Sequence, residues 1–362
     1  MQLPAGIDPS EWDMLHTAIC VDETMRHGYL GISWALGGGN GIGGPPLVNF
    51  GSPELIDEIL PDIIAGKKRI CLGVTEPNAG SDVANIKTTA RLSEDGEFYI
   101  VNGSKKWITN GVFADYCTTV VRTGDETSGA GGISVLVVPL NLDGVERKLI
   151  KNSGVNASGS TLIIYDEVRV PKRFLIGKQD RGFQYVMSNF NAERLTLAIL
   201  AARMARVCVE DAYDYACKRE TFGKPLLAQP VIQLKFADVG RRIEALAAWT
   251  ESLAHQMRCC AQSNDQQAKK ISDMQLGGKI ALLKVESGVV LELAVRECQQ
   301  VMGGIGYQRG GNHPGARIEQ ISRDLRVMVV GGGSHEIRKF SLLPHFTLLC
   351  SHPSLLQSLH SA

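Results

Sequence analysis

Residues 191–220 read NAERLTLAILAARMARVCVEDAYDYACKRE. Apolar positions recur at three- and four-residue spacing, the period of a helix that buries one face. Three further runs follow: 229–261, 266–304 and the stretch beginning at 316. Together they predict a helical bundle in the C-terminal half. A carboxylate and a guanidinium, Glu193 and Arg194, stand where the apolar stripe begins. Asn191 reads as an N-cap, which would put Glu193 in the first turn, where the helix dipole favours an acid.

Upstream of this stretch the texture is different. Between about 69 and 176, FYIVNGSKKWITNG (98–111) holds a strand run, an Asn-Gly turn signal and a second strand. CTTVVRT (117–123), GISVLVVPL (132–140) and STLIIYDEVRVP (160–171) are rich in Val, Ile and Thr. No helical run separates them, so an antiparallel sheet or barrel is expected. Helical spacing returns nearer the start, over 11–35 and 53–65, on either side of GGGNGIGGPP (37–46), which reads as a glycine-rich turn region. Those glycines lack a preceding strand and are followed by two prolines, which speaks against a dinucleotide fingerprint. The expected class is α+β, with an N-terminal α-helical domain over 1–68, a middle antiparallel β domain over 69–176, and a C-terminal four-helix bundle over 177–346. Residues 347–362 read as a weakly ordered tail.

Composition narrows the function. Thirty-eight basic residues balance 38 acidic ones, which argues against nucleic acid or an anionic membrane as main partner. Nine cysteines, none in a C-x-x-C pair, read as buried free thiols in a reducing intracellular compartment rather than as a disulfide scaffold. Eight histidines form no metal-binding spacing. No apolar run approaches the roughly 18 residues of a membrane span. Neither a targeting segment at the N-terminus nor a peroxisomal tripeptide in SLHSA is visible.

Several short stretches have chemical potential. In VTEPNAGSD (74–82), Gly80 and Ser81 offer exposed N–H groups and a hydroxyl to a phosphate or a flavin edge, or simply make a turn. In KWITNG (106–111), Trp107 and Thr109 share a strand face, giving a stacking surface beside a hydrogen bond, or a core tryptophan. RETFGKPLLAQP (219–230) places Arg219 where it can hold a pyrophosphate or serve a helix C-terminus. QVMGGIGY (300–307) ends a helix with glycines that allow close approach of a ligand or merely stop the helix.

The order of these stretches, with AERL and SRDLRVMVVGGGSHEI among them, resembles the acyl-CoA dehydrogenase family from about residue 50 to 346. The resemblance implies FAD as cofactor, an acyl-CoA substrate oxidised to its 2,3-enoyl form, and a homo-oligomer, usually a tetramer built from dimers. An electron-transfer flavoprotein is the implied electron acceptor. Flavin contacts carry over onto Val74, Thr75, Gly80 and Ser81, onto Trp107, Ile108 and Thr109, and onto Ser334 and Glu336. Arg219 and Phe222, with Gln300, Gly303 and Gly304, match residues that reach the FAD of a neighbouring subunit. The family's glutamine after that arginine falls on Pro230, with Gln229 one residue early.

The reaction needs a carboxylate base facing the α-carbon and donors to the thioester oxygen. Most of the family takes the base from a late turn, which here is Gly332. The isovaleryl- and long-chain-type branches take it from the helix motif that reads NAERL here, which puts Glu193 in the catalytic place. Ser81, Asn191, Arg194, Gly332 and Gly333 fall at substrate-side positions, with the Gly332 N–H as a donor. The N-terminus looks short against the family, and QRGGNHPGARIEQIS (308–322) looks like an insertion. Two other readings share the scaffold: a flavin oxidase acting on a non-CoA substrate, and a non-catalytic binding or assembly protein.

Overall fold

A computed structural model describes residues 3–262 and 266–333, and for 266–275 the helical backbone alone. The first elements are helical: α1 (Met14–Thr24), the single turn α2 (Leu30–Ser33), α3 (Gly39–Phe50) and α4 (Pro53–Ile64). Local chemistry explains their ends. Asp13 caps α1 by accepting from the Leu15 and His16 amides, and His16 completes a capping box. Ser52 accepts from the Leu55 amide, and Pro53 occupies the first position of α4, where its missing N–H costs nothing. Leu55, Ile59 and Ile63 recur every four residues and are the buried face of that helix.

The sheet follows: β1 (Ile70–Gly73), β2 (Thr89–Leu92), β3 (Phe98–Ile108), β4 (Tyr116–Arg122), β5 (Ile133–Pro139), β6 (Val145–Leu149) and β7 (Thr161–Pro171). The strand order is β1-β4-β2-β3-β7-β6, with β5 also on β4. Most pairings are antiparallel, but β1 runs parallel to β4, and Thr89 of β2 pairs in parallel with Arg122. Strand runs alone do not reveal this, because the segment joining β1 to β4 is itself strand (β2 and β3) and not a helix. Val120 and Val121 of β4 and Ile133, Val135, Leu136, Val137 and Val138 of β5 are all buried, so this part of the sheet is covered on both faces.

The chain then enters the long helices α5 (Gly182–Lys218), α6 (Pro230–Gln262), α7 (Gln266–Met302) and α8 (Ala316–Val330), with a two-stranded ribbon of β8 (Glu220–Thr221) and β9 (Lys224–Pro225) after α5. Two compact units result. One comprises Tyr29–Phe190; the other joins the chain up to Gly28 with the part from Asn191 onward. In the second unit Leu195, Ala198, Ala201, Met204, Ala205, Cys208 and Ala212 form the buried stripe of α5. Arg203 pairs with Asp22, and Arg317 with Asp211, tying α1 and α8 to α5.

Several expectations change. The Asn102-Gly103 pair makes no turn between two strands: β3 runs unbroken from Phe98 to Ile108 through it, with a register shift against β7 between Val101 and Gly103. The stretch 37–46 is not a turn region: it completes a π-helical turn at Trp34–Gly38 and runs on as α3. Its glycines serve close packing, since a Cβ on Gly43 would lie 2.5 Å from the Cys71 carbonyl oxygen of β1. Asn191 is not an N-cap, because α5 starts nine residues earlier at Gly182. The segment 308–322 is glycine-rich only as far as Gly315; its remainder is the start of α8. Eight cysteines lie among the described residues and all are free, but Cys217 and Cys259 are exposed rather than buried. The tail 347–362 lies outside the described residues.

Candidate active site

In the sheet unit, two of the quoted stretches meet. The Lys106 amide donates to the Thr75 carbonyl at 2.8 Å, and the Lys105 ammonium donates to the Val74 carbonyl at 3.1 Å. Val74 and Thr75 are thereby fastened beside Trp107, Ile108 and Thr109. Lys105 and Ile108 are both buried although three residues apart, so strict alternation fails at this end of β3, and the Trp107 indole between them is 53% exposed. Trp107 has φ +64° and Asn110 φ +61°. A left-handed tryptophan is rare outside sites that hold it in place. It coincides with a register shift of β3 against β7 between Lys105 and Ile108.

Asn110 shows what holds this shape. Its Nδ2 donates to the Trp34 carbonyl (3.1 Å) and the Ser158 carbonyl (2.9 Å), and its Oδ1 accepts from the Gly39 amide (2.7 Å). The π-helical turn, the end of β3 and the loop at 158 are thus joined through one side chain.

Beneath Val74 and Thr75 lies a buried ion pair. Lys105 is 0% exposed and its Nζ donates to Glu76 Oε1 at 2.7 Å. Glu76 also accepts from the Lys87 and Thr88 amides at 2.6 and 2.9 Å. Burial pushes the Glu76 carboxyl up, but the Lys105 charge and these hydrogen bonds outweigh it and hold the carboxyl below its ordinary value. Burial pulls Lys105 below its ordinary value, and Glu76 offsets only part of that. The Glu76 amide donates to the Ala79 carbonyl at 2.9 Å, closing a tight turn that leaves Gly80 and Ser81 exposed, with nothing within 4 Å of where a Gly80 Cβ would sit. An exposed indole, a neighbouring hydroxyl at Thr109 and this open turn fit a flat conjugated ring with polar edges, as a flavin has.

In the helical unit, Glu193 and Arg194 are half-buried in α5, with Leu195 fully buried beside them. Arg194 donates to Asn191 Oδ1 at 3.4 Å. The late turn lies over the same helix. Gly332 has φ +68°, and a Cβ placed on it would lie 3.0 Å from Leu197 Cδ1 and 3.9 Å from Arg194 Cγ. Leu197 is one helical turn beyond Glu193, on the same face. The structure therefore brings Asn191, Glu193, Arg194, Gly332 and Gly333 into one neighbourhood.

Arg219 precedes β8 and Phe222 lies in the turn between β8 and β9; Phe222 is 95% exposed, with φ +53°. The Leu226 amide donates to the Arg219 carbonyl, and the half-buried Gln229 follows just before α6. Gln300 and Gly303, with Tyr307 and Arg326, line an open groove of about 570 Å³, and Gly304 is exposed beside it. Ser334 and Glu336 lie outside the described residues. Among the described residues no group of three His, Cys, Asp or Glu could hold a metal, and no helix is long and apolar enough to cross a membrane.

The sequence did not single out Glu76, Lys105 or Asn110, whose hydrogen bonds hold these segments together. A lysine at an inward position of a strand was the available signal for Lys105.

Helices, then a seven-stranded sheet, then long helices is the domain order of a known family. The family models for the acyl-CoA dehydrogenase N-terminal, middle and C-terminal domains match residues 1–67, 71–168 and 180–342. The acyl-CoA dehydrogenase AFT10-1 of Alternaria alternata is 47% identical over 93% of this chain and 76% of its own length. The mitochondrial long-chain specific acyl-CoA dehydrogenase of Mus musculus is 30% identical over 90% of this chain and 71% of its own. Among solved structures, an acyl-CoA dehydrogenase complexed with FAD from Bacillus anthracis superposes with a TM-score of 0.84 at 28% identity, covering 94% of this chain and 59% of that one. The chain belongs to the acyl-CoA dehydrogenase family.

Proposed function

We propose that this protein is an FAD-dependent acyl-CoA dehydrogenase in which Glu193 removes the α-proton of an acyl-CoA thioester. One observation carries the choice of base. The late turn is glycine at 332, in a left-handed conformation, and it packs over the helical turn that bears Glu193. A carboxylate absent from the turn is present on the helix beneath it. Its place in the interior of α5, three turns from the start, also removes the first-turn dipole as the reason for an acid there.

FAD, when bound, supplies the acceptor for the β-hydrogen, which leaves as hydride. Val74, Thr75, Gly80, Ser81, Trp107, Ile108 and Thr109 would hold its ring, with the exposed Trp107 indole offering a stacking surface and Thr109 a hydroxyl. Arg219, Phe222, Gln229, Gln300, Gly303 and Gly304 meet the FAD of a second copy, so a homo-oligomer completes the cofactor site. The same proposal divides the chain at 68, 176 and 346.

For the substrate, the Glu193 carboxylate takes the α-proton while the Gly332 amide donates to the thioester oxygen and stabilises the developing enolate. Arg194 and Asn191 orient the carboxylate, and Ser81 and Gly333 belong to the substrate side. An electron-transfer flavoprotein then accepts the electrons.

An anaerobic titration of the yellow protein with straight and branched acyl-CoAs tests the reading. Bleaching of the flavin absorbance by at least one thioester is expected, with reoxidation faster by an electron-transfer flavoprotein than by O₂. No bleaching with any thioester would remove the dehydrogenase reading, and faster reoxidation by O₂ would replace it with an oxidase.

A further inference from the structure

Lys284 lies on α7, outside the short stretches quoted above, and it is 0% exposed. Its ammonium donates to the Val329 carbonyl at 2.6 Å and to the Gly333 carbonyl at 3.1 Å. These acceptors sit on opposite sides of Gly331 and Gly332. Val329 belongs to the last turn of α8, where helix carbonyls lack intrahelical donors and a cation is favoured. A helix cap needs only that bond. The second bond reaches four residues further, past the end of the helix, and closes a clamp around the turn.

The turn needs one. Three consecutive glycines, Gly331 to Gly333, form it, the last two with φ +68° and +102°. Glycine explores more backbone conformations than any other residue, so such a turn has little stiffness of its own. The Gly331 amide is tied back to the Val327 carbonyl at 2.8 Å, and the Gly332 α-carbon faces Leu197 and Arg194 of α5. The direction of the Gly332 N–H is set by what grips the peptide units on either side.

We propose that Lys284 is a positioning residue that aims the Gly332 amide at the thioester oxygen by clamping the Val329 and Gly333 carbonyls. This rests on the reading of Gly332 given above. Because amide donation matters most when the enolate forms, a misaimed amide lowers kcat more than it raises KM. Removal of a whole oxyanion donor costs roughly 10²–10³ in rate. Loosening one is expected to cost on the order of tenfold or more.

The test uses purified, flavin-loaded protein and a chromophoric 3-arylacryloyl-CoA, whose absorption band moves to the red when its carbonyl is polarised. Lys284→Met keeps the chain length and removes the clamp. Its expected phenotype is a diminished red shift and a kcat lowered by at least about tenfold at unchanged flavin content and KM. Lys284→Arg, which retains a cationic donor, recovers part of both. Lys284→Gln, a shorter neutral donor, gives intermediate values and serves if the methionine variant does not fold. A wild-type red shift and wild-type kcat per flavin in Lys284→Met or Lys284→Gln, with only a lower melting temperature, would reduce Lys284 to a structural cap and overturn the proposal. Glu193→Gln separates the two readings: it should keep the red shift and lose turnover. Full turnover in that variant would sink the base assignment while leaving the red-shift comparison to judge Lys284 by itself.

Discussion

Lys105 and Lys284 are both sealed from water, one in the sheet unit and one in the helical unit. Lys105 meets a carboxylate, Glu76, and a strand-end carbonyl. Lys284 meets two carbonyls, one at a helix C-terminus and one beyond a glycine turn. The difference matches what each supports. In the sheet unit the backbone is already stiffened by paired strands, and the lysine anchors an acid whose carboxylate also accepts from the Lys87 and Thr88 amides. In the helical unit the backbone is three glycines, and the lysine supplies stiffness that the residues lack.

This contrast is open to attack at several points. Lys105→Met should do the most damage to stability, because it leaves the Glu76 carboxylate buried without its cation. A loss of about 3–5 kcal/mol is expected by chemical denaturation. The double variant Lys105→Met with Glu76→Gln should recover most of that loss, since breaking a buried pair costs more than replacing it. The same pair predicts an acid response. The Glu76 carboxyl is held below its ordinary value in the folded protein. Its contribution is therefore complete above that value and disappears as pH falls through the lower folded value. Unfolding free energy measured from pH 6 down to about pH 3 should decline less steeply in Glu76→Gln. An equal slope would show that Glu76 does not contribute to the acid limb.

Asn110→Ala is expected to cost somewhat less, about 2–3 kcal/mol. It strands the Gly39 amide and two carbonyls and places alanine at positive φ. Flavin affinity should weaken with it, because Thr109 and the π-helical turn lose their common tether. Flavin retention on gel filtration is the check, and unchanged retention would detach Asn110 from the cradle. Gly332→Ala should be the mildest, with about 1–2 kcal/mol of left-handed strain in addition to a contact 3.0 Å from Leu197 Cδ1. Its melting temperature should drop by a few degrees.

Much of the architecture was legible from spacing. The four-residue recurrence of Leu55, Ile59 and Ile63 gave α4, and the apolar stripe of Leu195, Ala198, Ala202 and Ala205 gave α5. Glycines misled. The run at 37–46 carries turn composition, yet its job is to let a helix touch β1, and only the partner strand reveals that. Asn191 looked like a cap because the preceding residues, GFQYVMSNF, have no clear start signal, while the helix begins at Gly182. The parallel pairing of β1 with β4 depends on contacts some 45 residues apart, which local pattern does not encode. Among site residues, Trp107 and Thr109 stood out by type, but not as one strand face: β3 ends at Ile108, Thr109 lies in the turn beyond it, and Trp107 sits at a register shift with positive φ. Lys105 and Lys284 were not singled out, because a lysine in a sequence reads as solvated until its surroundings are known.

The central claim concerns the carboxylate of Glu193, and exchange of the substrate α-hydrogen tests it most directly. Flavin-loaded wild-type protein, incubated in D₂O with a slowly oxidised acyl-CoA, should wash deuterium into the α-position, and Glu193→Gln should slow that washing by about 10²–10⁴-fold at equal flavin content. Exchange at the wild-type rate in Glu193→Gln would contradict the account and move the base to another residue.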